Sequence, residues 1–156
     1  MTHEQIMELG VREARRTMNL NIGGPFGAVI VKDGQVISIS SNHVLANNDP
    51  TAHAEIMAIR DACKKLGTFD LSGCELYATG YPCPMCLGAI IWANIKKVYV
   101  SGLPVDCKEI GFRDDYIYEF IRGNCTDKQV LDIQNVGRTP ARILYREYAE
   151  LQKTIY

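Results

Sequence analysis

The sequence has no excess of positive charge. Its 17 Lys and Arg residues are balanced by 18 Asp and Glu residues, which gives a formal net charge of −1. Proteins that bind nucleic acid through its phosphates usually carry a clear basic excess, because phosphate neutralisation drives their affinity. The charge balance therefore favours a small-molecule substrate or a protein partner over a nucleic acid.

The chain also lacks a long apolar run. Its most apolar stretch, Leu87–Ala93, is far shorter than the ~20 residues that a membrane-spanning helix needs. The first ten residues are polar and have neither the cationic nor the apolar region of a signal peptide. We therefore expect a cytoplasmic protein that does not bind membranes. A disulfide framework among the six cysteines is not expected in that compartment.

The composition is that of a single globular domain over residues 1–156, with 47% apolar and 22% charged residues. Apolar runs and helical stripes alternate along the chain, and this alternation predicts a three-layer α/β fold with a mixed sheet. A hairpin is predicted at Asp33-Gly34, and a crossover helix over 84–94 predicts parallel pairing of its flanking strands. Further strands are predicted at 28–31, 36–39, 74–79, 97–101 and 130–136, and further helices start near Thr2, span 53–66, follow Asp114 and span 139–153.

Two short motifs carry the chemistry: His-x-Glu at 53–55 and Pro-Cys-x-x-Cys at 82–86. A Cys-x-x-Cys at the start of a helix places its two sulfurs on one face, and the helix N-terminus lowers the pKa of both thiols. Of the three histidines, only His53 opens a helix directly after a loop. Two thiolates and one imidazole leave the fourth position of a tetrahedral zinc ion to water, which is the arrangement of a catalytic zinc.

A zinc-bound water needs a base to receive its proton, and Glu55 is the candidate for this role. Residues two apart do not share a face in the middle of a helix. The hypothesis therefore requires His53 and Glu55 to lie in the first turn, facing the end of the sheet.

Other interpretations of the motifs remain open. A Cys-x-x-Cys alone also fits a redox dithiol or half of a structural zinc site, and a lone His-x-Glu means little. A non-catalytic zinc-binding module is a further alternative, but it leaves Glu55 without a role. The two motifs together, each opening a helix, favour catalytic zinc.

The same pair of motifs is the signature of zinc-dependent nucleobase deaminases. The chain resembles the cytidine deaminase-like superfamily over nearly its whole length, with its nearest likeness to the guanine deaminases of bacteria. The likeness is carried by residues 23–34, 49–55 and 82–90, by Gly111-Phe112 with Asp114, and by the terminal Tyr156.

This resemblance implies a five-stranded mixed sheet flanked by helices, with Zn²⁺ bound by His53, Cys83 and Cys86. It implies that Glu55 moves protons while guanine is hydrolysed to xanthine and ammonia. The implied substrate contacts are stacking by Phe26, hydrogen bonds with Asn42, Ala54 and Asp114, and closure of the pocket by Tyr156.

The resemblance also implies a homodimer in which the C-terminal segment crosses to the partner subunit.

Three of the implied pocket residues have a structural alternative: Phe26 as core, Asn42 as a turn former and Asp114 as a helix N-cap.

One residue departs from the family pattern, which commonly has Glu before the Pro-Cys where this chain has Tyr81. A phenol offers a hydrogen-bond donor that a carboxylate lacks, so Tyr81 is a candidate specificity residue. The alternatives to guanine are guanosine, a pterin, an aminotriazine or cytosine, and the adenosine of a tRNA.

Overall fold

The structure is a computed structural model that describes all 156 residues. It separates into two compact units, residues 1–114 and 115–156, so the expectation of one domain stays a prediction. The first unit contains α1 (His3–Asn19), β1 (Gly27–Lys32), β2 (Gln35–Ser41), α2 (Val44–Asn47), α3 (Ala54–Leu66), β3 (Cys74–Gly80), α4 (Pro84–Trp92), β4 (Lys97–Gly102) and α5 (Pro104–Glu109). The second unit contains α6 (Asp115–Arg122) and α7 (Arg138–Glu150). No helix is both long and apolar enough to span a membrane.

The sheet is mixed, as predicted, and its strand order is β2-β1-β3-β4. Strand β1 pairs antiparallel with β2 and with β3, whereas β3 and β4 are parallel and are connected through α4. The hairpin turn has positive φ at both Asp33 (50°) and Gly34 (76°), as a type I′ turn requires.

The sheet has four strands, so the expectation of five strands is wrong for this structure. The predicted strand at 130–136 is not formed, and its apolar side chains stay exposed, with Ile133 at 62% and Val136 at 87%. The N–H groups of Val130 and Leu131 instead donate to the carbonyl of Asp127 in a turn. β-branched composition favours a strand only where a neighbouring strand and a buried face are available.

Helices cover both faces of the sheet and produce the three layers. On one face, Ala28, Ile30 and Leu76 pack with the buried alanines of α3 and with Ile90 of α4. On the other face, Val29, Val31 and Tyr77 pack against Ile6 and its neighbours in α1. This division follows from the period of two in a strand, which sends alternate side chains to opposite faces. Helix α1 begins with the predicted capping box between Thr2 and Gln5.

One edge of the sheet gathers the ends of several elements. Strands β2 and β3 end at this edge and β1 begins there, because β1 is antiparallel to both. Helix α3 begins with the first of the two motifs, and α4 follows directly after β3 with the second. Phe26, Asn42 and Tyr81 each lie one residue outside a strand at this edge.

The second unit contains two amphipathic helices. Neither α6 nor α7 has a buried residue, and no residue of 115–156 is buried. The apolar side chains of α7 include Ile143, Leu144 and Tyr145, which are 49%, 60% and 68% exposed.

The close approach of α1 to the sheet depends on Gly27. A Cβ atom at Gly27 would lie 2.1 Å from the carbonyl oxygen of Gly10, which is backbone and cannot move aside. We expect Gly27→Ala to lower the free energy of unfolding by about 3 kcal/mol, measured by urea denaturation. Gly88→Ala is the matched control, because nothing lies within 4 Å of a Cβ at that position. Equal urea midpoints for Gly27→Ala and the unmodified protein would contradict this account.

Candidate metal centre

Each motif supplies its side chains from the N-terminus of a helix. His53 is the N-cap residue of α3 and Cys83 is the N-cap residue of α4, both with extended backbone. Pro84 occupies the first turn of α4, where its missing N–H and restricted φ cost nothing. Cys86, one turn into α4, is fully buried. The two helices therefore direct one imidazole and two sulfurs to the same place.

The distances among these three groups fit a zinc ion. The Nδ1 atom of His53 lies 3.5 Å from the sulfur of Cys83 and 3.6 Å from the sulfur of Cys86. The three donor atoms all lie within 4.8 Å of one another. A tetrahedral zinc with ordinary Zn–S and Zn–N bond lengths places N and S about 3.6 Å apart. The donor set and its spacing therefore fit zinc, with three protein ligands and one position left open.

The two thiols differ in acidity. Hydrogen bonds from Cys86 and then His53 outweigh burial and lower the pKa of Cys83 to about 4. The hydrogen bond with Cys83, together with burial and Glu55, raises the pKa of the Cys86 thiol. The two shifts have opposite directions because the two sulfurs are hydrogen-bonded to each other, so that a proton on Cys86 stabilises the thiolate of Cys83. The hydrogen bond between His53 and Cys83 also raises the pKa of the His53 imidazole.

Glu55 lies where the hypothesis requires it. It is the second residue of α3 and is only 6% exposed, with its carboxylate in hydrogen-bond contact with the Cys86 side chain. Burial raises the pKa of this carboxyl above its usual value. Because His53 is the N-cap residue and not a residue of the helix interior, the two side chains can converge although they are two residues apart.

The oxygen and the NH₂ group of the Asn42 side chain have different roles. The side chain is buried, and its Oδ1 accepts hydrogen bonds from the backbone N–H groups of Gly24 (3.2 Å) and Val44 (3.0 Å). The turn-forming interpretation is therefore correct for the oxygen. Since the oxygen is already used, the group that Asn42 can offer to a ligand is its NH₂, a donor.

Phe26 and Asp114 lie in the same region. The Phe26 ring is half-buried and meets the ring of Phe112 edge to face, with centroids 5.0 Å apart and planes at 90°. Asp114 is close enough to His53 for its negative charge to help raise the pKa of that imidazole. Ala54 is fully buried as the first residue of α3, so its N–H has no acceptor within the helix.

The two tyrosines singled out by the sequence are exposed. Tyr81 directly follows β3, lies between that strand and the Pro-Cys motif, and is 42% exposed. Tyr156 belongs to the second unit and is 79% exposed, and its role in closing a pocket stays a prediction.

Cys107 in α5 is a residue of this region that the sequence does not reveal. Its sulfur lies beside Gly80, and the charges of Asp114 and Glu55 reach it. Nothing in its local sequence distinguishes it from the other isolated cysteines, because its surroundings are formed by chain segments distant in sequence.

The site has three residues that can hold a zinc ion, with one coordination position left open, and the buried carboxylate of Glu55 lies beside them. Residues 1–102 match the family of cytidine and deoxycytidylate deaminase zinc-binding regions, so the chain belongs to this family of zinc-dependent hydrolytic deaminases. It is 52% identical to the guanine deaminase of Bacillus subtilis over 121 residues, which are 78% of each chain.

A solved structure of the same Bacillus subtilis enzyme and one further relative extend the comparison. The X-ray structure of guanine deaminase from Bacillus subtilis superposes with a TM-score of 0.92 and 42% identity, covering 100% of this chain and 99% of that one. The tRNA-specific adenosine deaminase of Aquifex aeolicus is 46% identical over 103 residues, 66% of this chain and 68% of the relative.

We expect Cys83→Ala to abolish tight zinc binding, because only two ligands would remain of a set that already leaves one position open. Cys125→Ala is the matched control, since Cys125 is exposed and belongs to the second unit. Metal analysis after gel filtration should find one zinc per chain in the unmodified protein and the control, and almost none in Cys83→Ala.

Zinc binding should weaken as the pH falls. The raised pKa values of Cys86 and His53 mean that zinc must displace protons, so its affinity should fall about tenfold per pH unit for each displaced proton. Competition with a chelator at pH 6 and pH 8 measures this, and equal affinities at both values would contradict the assigned ligands.

Proposed function

We propose that this chain is a guanine deaminase, which hydrolyses guanine to xanthine and ammonia in the cytoplasm. The single observation that carries the activity is the buried carboxylate of Glu55 beside the three metal ligands. A structural zinc site or a redox dithiol has no use for a buried acid at that place. The choice of guanine is supported by the likeness to the Bacillus subtilis enzyme over the full length of both chains.

The zinc ion and Glu55 have separate roles in the proposed hydrolysis. Zinc, when bound, acts as a Lewis acid that makes water a usable nucleophile near neutral pH. Glu55 holds a proton more readily than an exposed carboxylate, because burial raises its pKa. It therefore takes a proton from the attacking water and delivers it to the ring nitrogen of the base. It then takes the remaining proton of that water, from the hydroxyl group now bonded to the carbon, and passes it to the amino group, which departs as ammonia.

Polar groups around the base hold it in place. The NH₂ group of Asn42 can donate only to an acceptor such as the carbonyl oxygen of guanine, since its own oxygen is occupied. Asp114 accepts from a ring N–H, and the backbone N–H of Ala54 provides a second donor. The Phe26 ring supplies the surface on which the base stacks.

We expect Glu55→Gln to retain one zinc per chain and to lose turnover by roughly 10²- to 10⁴-fold, since proton transfer is the function removed. Glu8→Gln, at an exposed position of α1, is the control for the change of charge. Ammonia release from guanine, with zinc content measured on the same samples, tests this. A Glu55→Gln protein with the full rate of the control would exclude the role assigned to Glu55.

The substrate is tested on the same assay with guanosine, cytosine, cytidine, adenine, ammeline, a pterin and an adenosine-containing tRNA anticodon stem-loop. Guanine as the preferred substrate would establish Tyr81 as a tolerated change. If another amino-heterocycle is preferred, Tyr81 becomes the specificity residue, and Tyr81→Glu should shift the preference towards guanine. Activity on the stem-loop but not on free bases would instead support the relationship to the tRNA deaminases.

We also propose that the chain functions as a homodimer in which the C-terminal segment is exchanged. The support is that no residue of 115–156 is fully buried although α7 carries a set of large apolar side chains. Amphipathic helices of this kind are stabilised by covering their apolar face, and a second copy of the chain provides that cover. In this arrangement Tyr156 closes the pocket of the partner subunit.

Subunit complementation tests the exchange directly. One inactive protein carries Glu55→Gln, and the other is truncated before Tyr156. If the tail acts on the partner's pocket, a refolded equal mixture contains one complete site in each mixed dimer and recovers roughly a quarter of the unmodified activity. If each tail closes its own pocket, the mixture stays as inactive as its components.

A further inference from the structure

The space beside Gly80 is already filled by two other residues. A Cβ atom built on Gly80 would lie 3.2 Å from the sulfur of Cys107 and 3.2 Å from both Cδ1 and Cε1 of Phe26. These distances are shorter than normal carbon contacts, so a side chain at position 80 would displace one neighbour or the other. The thiol of Cys107 therefore occupies the volume that a side chain at position 80 would need.

The opposite edge of the Phe26 ring is held in a similar way. A Cβ atom on Gly24 would lie 3.3 Å from Cδ2 of Phe26 and 3.2 Å from Cζ of Phe112. The Phe112 ring meets the Phe26 ring perpendicularly at a centroid distance of 5.0 Å. The ring of Phe26 is thus bounded along both of its edges, each time next to a glycine.

The backbone carbonyl and the sulfur of Cys107 also contact the residues around Phe26 and Gly80. Its backbone carbonyl accepts a 3.0 Å hydrogen bond from the N–H of Phe112, the ring that packs on Phe26. The backbone of Tyr81, the residue next to Gly80, lies close enough to this sulfur to act on the thiol, where it opposes the rise in pKa that burial causes. One residue of α5 therefore contacts the end of β3 with its side chain and the second aromatic ring with its main chain.

We propose that Cys107 is a positioning residue for substrate: it fills the place of the missing side chain at Gly80 and thereby holds Phe26 in the orientation that receives the base. This inference rests on the proposed function, in which Phe26 provides the stacking surface. Cys107 acts through Phe26 and needs no contact with the reacting atoms.

The test is a double-mutant cycle of Gly80→Ala and Cys107→Ala, with KM and kcat for guanine measured for all four proteins. Gly80→Ala should raise KM about five- to tenfold, since the new methyl group pushes the Phe26 ring aside, and should leave kcat within about twofold because the metal ligands and Glu55 are untouched. Cys107→Ala should raise KM about threefold by loosening the ring. The double variant should have a lower KM than Gly80→Ala alone, because removing the sulfur makes room for the methyl group.

Two controls separate positioning from a general loss of structure. Gly88→Ala combined with Cys107→Ala should show no coupling, because nothing lies near a Cβ at position 88. The affinity of guanine for zinc-loaded protein in the Glu55→Gln background, measured by calorimetry, should follow the same pattern as KM. If Gly80→Ala does not fold, Cys107→Ala and Cys107→Ser still test the proposal, and an unchanged KM in both would overturn it.

The outcomes distinguish this inference from the proposed function. If the unmodified enzyme deaminates guanine and the effects of the two substitutions on KM simply multiply, Cys107 is not a positioning residue although the function stands. If guanine is inert, the proposed function fails, and the same cycle is run on the amino-heterocycle that the enzyme accepts. Coupling in KM on that substrate would support the positioning role, and its absence would overturn it.

Discussion

The site depends on one constraint: two helices must begin side by side at the same edge of the sheet. His53 and Cys83 are the N-cap residues of these helices, and their contact at 3.5 Å brings together donors that are thirty residues apart. The parallel pairing of β3 with β4 requires a crossover, and α4 is that crossover, so its N-terminus must lie at the end of β3. Because Glu55 is in the first turn of α3, the same arrangement buries its carboxylate beside the ligands.

Much of the fold could be predicted because it is encoded locally. The type I′ turn at Asp33-Gly34 and the capping box at Thr2 each depend on residues within a few positions of one another. The predicted strand at 130–136 was wrong because strand formation depends on a partner that local composition does not specify. The short helices α2 and α5 were missed because segments of four and six residues carry too little periodicity to detect.

The residues of the candidate site also differ in whether the local sequence is enough to predict them. The three residues that can hold a metal lie in compact motifs, so their types and spacing were sufficient to bring them together. Glu55 belongs to the first of these motifs, and its role in proton transfer stays a prediction. Phe26 and Asn42 were proposed only through the resemblance to a known family, and their contacts with substrate stay a prediction. The structure shows what fixes the orientation of each side chain. Cys107 could not be predicted, since its importance comes from a contact with Gly80 across elements that are far apart in the chain. The role of Tyr156 stays a prediction.

The most direct test of the account is the reaction itself, run on guanine in water enriched in ¹⁸O with the zinc-loaded protein. Hydrolytic deamination predicts xanthine that carries one ¹⁸O atom from solvent and one equivalent of ammonia for each xanthine formed, and it predicts that a chelator abolishes both products. Unchanged guanine, or xanthine formed at the same rate after the metal is removed, would contradict the central claim that these residues form a zinc-dependent guanine deaminase.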